Sequence, residues 1–419
     1  QRGRIEYALN GGRINTDSID NSAGVDCSDH EVNIKITLTQ ALKAKKISLT
    51  KRNKILEEMT NDVEDMVLED NIWQTQAITM SQSRGVSAIG DHARFLNRLE
   101  KIGLLNRGVE FLPSDKQIDK RQSDRVGMTR PELSIMLSYA KMDLYNNIIN
   151  SELIKDAYFE DMLLNYFPKL LRKDFNKEIL NHQLRNEIIA TQITNLIIGR
   201  VGISFVSKVA RDNGFKISDI VRNIIIVFES FDLIDVYSNI ESLNNKDVPV
   251  DIKIRMISAA NKLLERSVLW LLRNSKAKNI SSTAQQYRNN VQNISQDLDN
   301  LLAEASLSSY NKNIAVYKDF KIKADLAKRV SAMDALASAY DIIHVSKKNN
   351  IDIKTSSKIY FEVGTRLNLK WLRNKINALA VDNYWQRISS KTILEDLYNY
   401  QMRITDVIAS HNCKNKEFC

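Results

Sequence analysis

The sequence predicts a mainly α fold: a short mixed α/β segment at the start, then a large all-helical domain. Three observations carry that expectation. Helix breakers are scarce, with 13 glycines and 4 prolines in 419 residues and no proline after Pro249, whereas a chain of many short strands needs turn residues often. Apolar residues recur at the spacing of one helix face through most of the chain beyond residue 50. Four of the glycines, Gly3, Gly11, Gly12 and Gly24, fall in the first 24 residues, so the opening differs in composition from the rest of the chain.

Taken in order, Arg4 to Leu9 has helical character and stops at Gly11-Gly12, a plausible C-cap. Ile14 to Ile19 alternates apolar and polar, which predicts a short strand. Asp20 to Glu31 is small and polar and predicts a functional loop feeding a helix, with Ser28 and Glu31 as its capping box. Helical stripes then run over Asn53–Gln82 and Asp91–Ile102. Leu112 to Asp115 is a loop. Thr129-Arg130-Pro131-Glu132 is a strong helix start, followed by Leu133, Met136, Leu137, Ala140, Leu144 and Ile148 on one face. Tyr166-Phe167-Pro168 breaks the chain, and helices are expected over Glu178–Ile198, Ser218–Phe231 and Lys253–Leu272. The Asn-, Gln- and Ser-rich stretch 279–325 predicts two loosely packed helices or a partly mobile segment. Ala324–His344, Ser356–Ala380 and Ser390–Ser410 complete the helical series, without a fixed-period repeat. The expected domains are 1–50 and 51–419, with a sub-boundary near 245–280.

Composition bounds the function. The 60 basic residues are interspersed with 51 acidic ones, as in Lys51-Arg52-Asn53-Lys54 before Glu57-Glu58. No basic stripe with aromatics appears, so no nucleic-acid partner is expected. No apolar run approaches the roughly 18 residues of a membrane span, so no membrane partner is expected. Cys27, Cys413 and Cys419 are too few for a disulfide scaffold, which points to a reducing cytoplasm. The chain opens on Gln1-Arg2-Gly3-Arg4 without an apolar leader or a Met, as expected of a processed chain or a piece of a longer one.

Motifs are sparse. His30, His92, His182, His344 and His411 are scattered, and each alone reads as a surface or core-edge histidine. His411-x-Cys413-x5-Cys419 lacks a fourth ligand and reads as a frayed terminus, so no metal site is expected. Asp119 to Arg125 is a charge run expected in a solvated loop, and Trp270, Trp371 and Trp385 are expected in helix cores. The one segment inviting chemistry is Asn21 to Ser28. Asn21 can donate to and accept from an amide, and Ala23 and Gly24 leave room for a flat ring. Ser28 is expected at a helix N-terminus, where it either binds a carboxylate or caps its own helix.

Long ordered matches make the sequence resemble the large bacterial NAD-specific glutamate dehydrogenases. They include residues 1–17 running into Asp20-Asn21-Ser22-Ala23-Gly24-Val25-Asp26-Cys27-Ser28-Asp29-His30-Glu31-Val32-Asn33. They continue with Asp70-Asn71, Glu110-Phe111-Leu112-Pro113, Thr129 to Leu133, Tyr139 to Tyr145, Tyr166 to Pro168, Leu184 to Gln192 and Trp270 to Asn274. The resemblance weakens over 279–323 and in the last ten residues. It implies that the opening is the end of a dinucleotide-binding dehydrogenase domain and the remainder a C-terminal helical domain. It implies NAD as cofactor, L-glutamate and 2-oxoglutarate as substrate and product, and a homo-oligomer. By match, Asn21 binds the nicotinamide carboxamide, Val25 lines the substrate pocket and Ser28 binds the substrate's side-chain carboxylate. Ser22 and Ala23 depart from the Ala and Gly of the wider pattern. The family's catalytic Lys and Asp and its glycine-rich turn lie upstream of Gln1, so no catalytic residue is expected in this chain and the chain alone is expected to be inactive. The alternatives are a non-catalytic helical regulatory or oligomerisation module and, lower in rank, a basic helical nucleic-acid binder.

Overall fold

A computed structural model of the chain describes residues 1–275, 277–379 and 384–415, with the side chains of 305 and 412–415 not described. Cys419 and the side chain of Cys413 therefore lie outside the described residues. Every regular element among the described residues is a helix. The α/β part of the expected fold class is thereby corrected. Ile14 to Ile19 forms no strand: Thr16 is extended and Asp17–Asp20 is one helical turn. The reason is local. The Ile19 and Asp20 N–H groups donate to the Thr16 carbonyl at 3.1 and 3.0 Å, and Arg4 gathers Asp17, Asp20 and the Asn15 carbonyl. These bonds satisfy the backbone without a neighbouring strand. Before it, Arg2–Leu9 ends as expected. Gly11 takes φ +91°, and the Gly12 N–H donates to the Tyr7 carbonyl at 3.0 Å.

The chain forms two compact units, residues 1–222 and 223–419. The first is built on α1 (Ser22–Lys43), α2 (Thr60–Ser83), α3 (Arg130–Ile149) and α4 (Arg185–Val201). Its core joins Ile34 and Leu38 of α1, Ile78 of α2, Leu133, Met136, Ala140 and Leu144 of α3, and Ile189, Ile193 and Ile197 of α4. The capping box predicted for α3 is present, with the Thr129 N–H donating to Glu132 Oε2 at 2.8 Å. Glu132 is fully buried and also takes Arg121 Nη1 and Nη2 at 2.7 and 2.8 Å. The charge run is therefore not a solvated loop. Most of it belongs to helix Asp115–Ser123, which delivers Arg121 to a buried carboxylate.

Two long stripes divide. Asn53–Gln82 breaks at Met59, which is buried between Leu49–Glu58 and α2. The stripe from Glu178 breaks at Asn181–Leu184. There the His182 ring ends one helix by accepting the Leu184 N–H on Nδ1 at 3.0 Å, with Nε2 3.2 Å from the Asn33 carbonyl. No single helix among the described residues is long and apolar enough to cross a membrane. The bent pair Arg185–Val201 and Phe205–Asn213 (88°) matches by length and composition together.

The second unit is built on α5 (Val250–Asn274), α6 (Ile280–Gln296), α7 (Ala324–Leu336), α8 (Ala339–Asn349), α9 (Ile353–Arg366) and α10 (Tyr384–Asn415). The polar stretch 279–325 holds α6, a turn at Leu298–Leu301 and helix Glu304–Asp319. It buries Ile280, Tyr287, Val291 and Ile294, then Tyr310, Ile314 and Tyr317, at helical spacing. Ala324–His344 and Ser356–Ala380 each resolve into two helices.

The centre of this unit is charged. Asp341 (α8) pairs with Arg266 (α5), and accepts from Trp270 Nε1 at 2.7 Å and the Tyr360 hydroxyl at 3.1 Å. The Tyr398 ring of α10 lies 3.4 Å from the Arg266 guanidinium and 4.0 Å from that of Arg373. Trp270 is thus a core residue as expected. Trp371 and Trp385 are not: they are 54% and 75% exposed on helix faces that no described element covers.

Candidate functional site

The segment Asn21 to Ser28 is helical rather than a loop. Asn21 is the N-cap residue of α1, and Ser28 lies in its second turn. The predicted capping box of Ser28 and Glu31 is therefore absent, and Ser28 instead donates to the Gly24 carbonyl at 3.1 Å. The helix starts early because Ser22 is fastened to α2, through Asn71 Oδ1 and Gln74 Nε2, the latter at 3.3 Å. That anchorage holds the first turn in place despite Gly24, whose helix penalty is about 1 kcal/mol.

Helical placement brings the three candidate residues together. Asn21, Val25 and Ser28 are spaced i, i+4 and i+7, so they share one face of α1. All three are exposed, Val25 at 67%. A Cβ added at Gly24 would meet only Asn21 Oδ1, at 3.5 Å, so the surface over the first turn is open. The helix start lies beside Asn21 rather than beside Ser28, and its Gly24 N–H is already given to the Asn21 carbonyl at 3.3 Å.

The opposite face of the same helix carries groups that motif reading missed. Asp26, His30, Asn33 and Thr37 form a polar stripe turned inward. His30 stacks on Tyr166 with centroids 4.4 Å apart, and Asn33 Nδ2 donates to the Tyr166 hydroxyl at 2.9 Å. Asp26 Oδ1 is 4.0 Å from His30 Nε2, and its buried Oδ2 has no hydrogen-bond partner among the described residues. Burial, then the nearby Asp70, pushes the Asp26 carboxyl up to about 7 against the pull of Lys141. Burial pushes Asp70 up to about 6, opposed by Lys141 and by the Asn195 amide. Lys141 is lowered by burial and supported by both acids. His30 is lowered by burial to about 4, so it is neutral near pH 7. The signal for this cluster was a polar residue on a buried stripe: Asp70 falls in register with Val67 and Ala77. No group of three His, Cys, Asp or Glu among the described residues is placed to hold a metal.

An exposed amide, an exposed valine and an exposed hydroxyl thus stand in line on one helix face, backed by half-buried ionisable groups. Residues 125–418 match the family description "Glutamate dehydrogenase, C-terminal", and residues 1–81 match "Bacterial NAD-glutamate dehydrogenase, catalytic domain". The chain belongs to the glutamate dehydrogenase C-terminal family. It is 33% identical over 405 residues to the NAD-specific glutamate dehydrogenase of Halomonas elongata and 34% over 406 residues to that of Pseudomonas aeruginosa, covering 97% of this chain in each case. It is 32% identical over 398 residues to that of Mycobacterium tuberculosis. The chain spans about a quarter of the length of these relatives (25%, 25% and 24%).

Proposed function

We propose that this chain is the C-terminal part of an NAD-specific glutamate dehydrogenase, catalysing oxidative deamination of L-glutamate to 2-oxoglutarate and ammonium in the cytoplasm, as a homo-oligomer. In this reading residues 1–50 complete the dehydrogenase domain and 51–419 form the helical domain. Asn21 holds the nicotinamide carboxamide, Val25 lines the substrate pocket and Ser28 takes the side-chain carboxylate of glutamate. The observation that carries the reading is the shared exposed face of Asn21, Val25 and Ser28 on α1.

The residues suit those ligands. The Asn21 side chain makes no capping bond to its own helix, which leaves its amide oxygen and nitrogen to pair with a carboxamide. The space over Gly24 admits a flat ring. Bound NAD supplies the hydride acceptor. Ser28 has one proton to donate, now given to the Gly24 carbonyl, and rotation of the hydroxyl turns it to a carboxylate oxygen. The acid–base groups for the amino carbon belong to the upstream dehydrogenase domain.

Two measurements test this. The purified 419-residue chain is expected to form no NADH from glutamate and NAD, and glutamate-dependent NADH formation would refute it. In the complete dehydrogenase, Ser28→Ala is expected to raise KM for glutamate roughly 10- to 100-fold, the worth of one hydrogen bond to a charged group. Asn21→Ala is expected to raise KM for NAD instead. An unchanged glutamate KM in Ser28→Ala removes Ser28 from the site.

A further inference from the structure

The last helix carries an apolar stripe that its own unit leaves bare. On α10, Ile393, Tyr400, Ile404, Val407 and Ile408 are between 36% and 56% exposed, and Leu397 is half-buried. Their spacing is a heptad. Leu397, Ile404 and His411 fall at a, and Ile393, Tyr400 and Val407 at d, the seam of a helix that pairs with another helix. The seam from Ile393 to Ile408 is about 22 Å long at 1.5 Å per residue. It is distinct from the face that α10 buries in its own unit through Gln401, Thr405 and Ala409. A contiguous exposed apolar surface of this kind marks an interaction site.

The charges beside the seam say what covers it. Asp396 and Arg403 are exposed, both at g, seven residues apart along the same edge. Among the described residues neither has an ion-pair partner. In a parallel pair each g residue meets an e residue of the other helix. Those positions are Gln401, which is buried in its own unit, and Ile408, so neither charge is answered. In an antiparallel pair g meets g. Asp396 then meets Arg403 of the second copy, and the two-fold axis repeats the contact. The same register sets Ile393 against Ile404, and Leu397 against Tyr400. The edge is self-complementary under a two-fold operation, as an isologous interface requires.

We infer that α10 joins two copies of this chain as an antiparallel helix pair along the Ile393–Ile408 seam, closed by reciprocal Asp396–Arg403 contacts. The inference deepens the homo-oligomer part of the proposed function and is independent of NAD and glutamate.

Sedimentation velocity of the 419-residue chain, over roughly 1–100 µM so as to bracket a micromolar Kd, tests it. The wild type is expected to form a dimer and Ile404→Arg a monomer with unchanged far-UV circular dichroism. Asp396→Arg is expected to weaken the dimer about tenfold or more, through two like-charge contacts. The double reversal Asp396→Arg/Arg403→Asp is expected to restore it to within about threefold. Both charge variants sit on an exposed edge, so they read the interface rather than folding. A dimer that survives Ile404→Arg, or a double reversal no tighter than the single, overturns this surface and leaves the homo-oligomer standing. A monomeric wild type overturns this surface and leaves the homo-oligomer to the remainder of the complete dehydrogenase.

Discussion

Replacing Asp341 with alanine should unfold the second unit far more readily than any surface change. Asp341 is 1% exposed and answers three donors: the Arg266 guanidinium, Trp270 Nε1 and the Tyr360 hydroxyl. Arg266 is itself buried, its Nε donating to the Ala337 carbonyl at 2.8 Å, so it has no easy path to water. Removing one partner of a buried ion pair costs about 3–5 kcal/mol. Stranding the Trp270 and Tyr360 donors adds about 1–3 kcal/mol each, partly recovered by water entering the vacated space. The expected net loss is about 4–6 kcal/mol. With a urea m-value of about 2–3 kcal/mol/M, the midpoint falls by about 2 M. Urea titration read by circular dichroism and tryptophan fluorescence measures it. The companion is the double variant Asp341→Leu/Arg266→Met, which removes both charges at once and should be less destabilised than either single variant, a coupling of at least about 2 kcal/mol. A single-variant loss below about 1 kcal/mol, or a double loss equal to the sum of the singles, would refute the account of the pair as mutually dependent.

Three further outcomes rest on the packing. Gly364→Ala, in the last turn of α9, ordinarily adds up to about 1 kcal/mol of helix stability. Here its Cβ would lie 2.6 Å from Gln401 Nε2, which is buried and donates to the Tyr360 carbonyl at 2.8 Å. The sign should reverse to a loss of about 1–2 kcal/mol in thermal unfolding. Arg121→Ala leaves the fully buried Glu132 with its cap bonds but no counter-charge, and should cost the first unit about 3 kcal/mol; Arg121→Lys, with one point of contact in place of two, should recover only part. Asp26→Asn tests the inward cluster by pH. A folded carboxyl raised to about 7 contributes stability that is full below the unfolded value near 4 and is lost as pH rises through 7. The variant should therefore flatten the fall of Tm between pH 4 and 7 and be the more stable chain at pH 8. An unchanged pH profile would show that Asp26 is ordinary.

Much of this architecture was legible because helices announce themselves locally. The α3 start was readable from Thr129, Pro131 and Glu132, since a capping box closes within four consecutive residues. The core face of α3 came from spacing alone. The readings that failed needed information from elsewhere in the chain. Ile14 to Ile19 had the alternation of a strand, but a strand needs a partner, and none of the described residues offers one. Ser28 looked like a cap because the small residues before it resembled a loop. The true helix start at Ser22 depends on Asn71 and Gln74, about fifty residues away. Trp371 and Trp385 sat in helical patterns, but a pattern cannot say whether a face is covered. For the candidate site, the residue types and their segment were readable, and their alignment on one face emerged only when the segment became helix. The inward stripe of Asp26, with Asp70 and Lys141, went unread because no motif joins three residues on three helices.

The length of α1 has a mechanical consequence. Asn21, Val25 and Ser28 ride on one unbroken rod of 22 residues. Just past its far end, Lys46 is tied to the Asp174 carbonyl at 2.6 Å and to Glu178 at 3.2 Å. From Lys43 to Ser28 is about 22 Å at 1.5 Å per residue, so a 5° tilt about that end sweeps Ser28 through about 2 Å. The three residues travel together, keeping their spacing while changing their reach. A loosened clamp at Lys46 would thus shift Asn21, Val25 and Ser28 in a fixed ratio, without touching any of them.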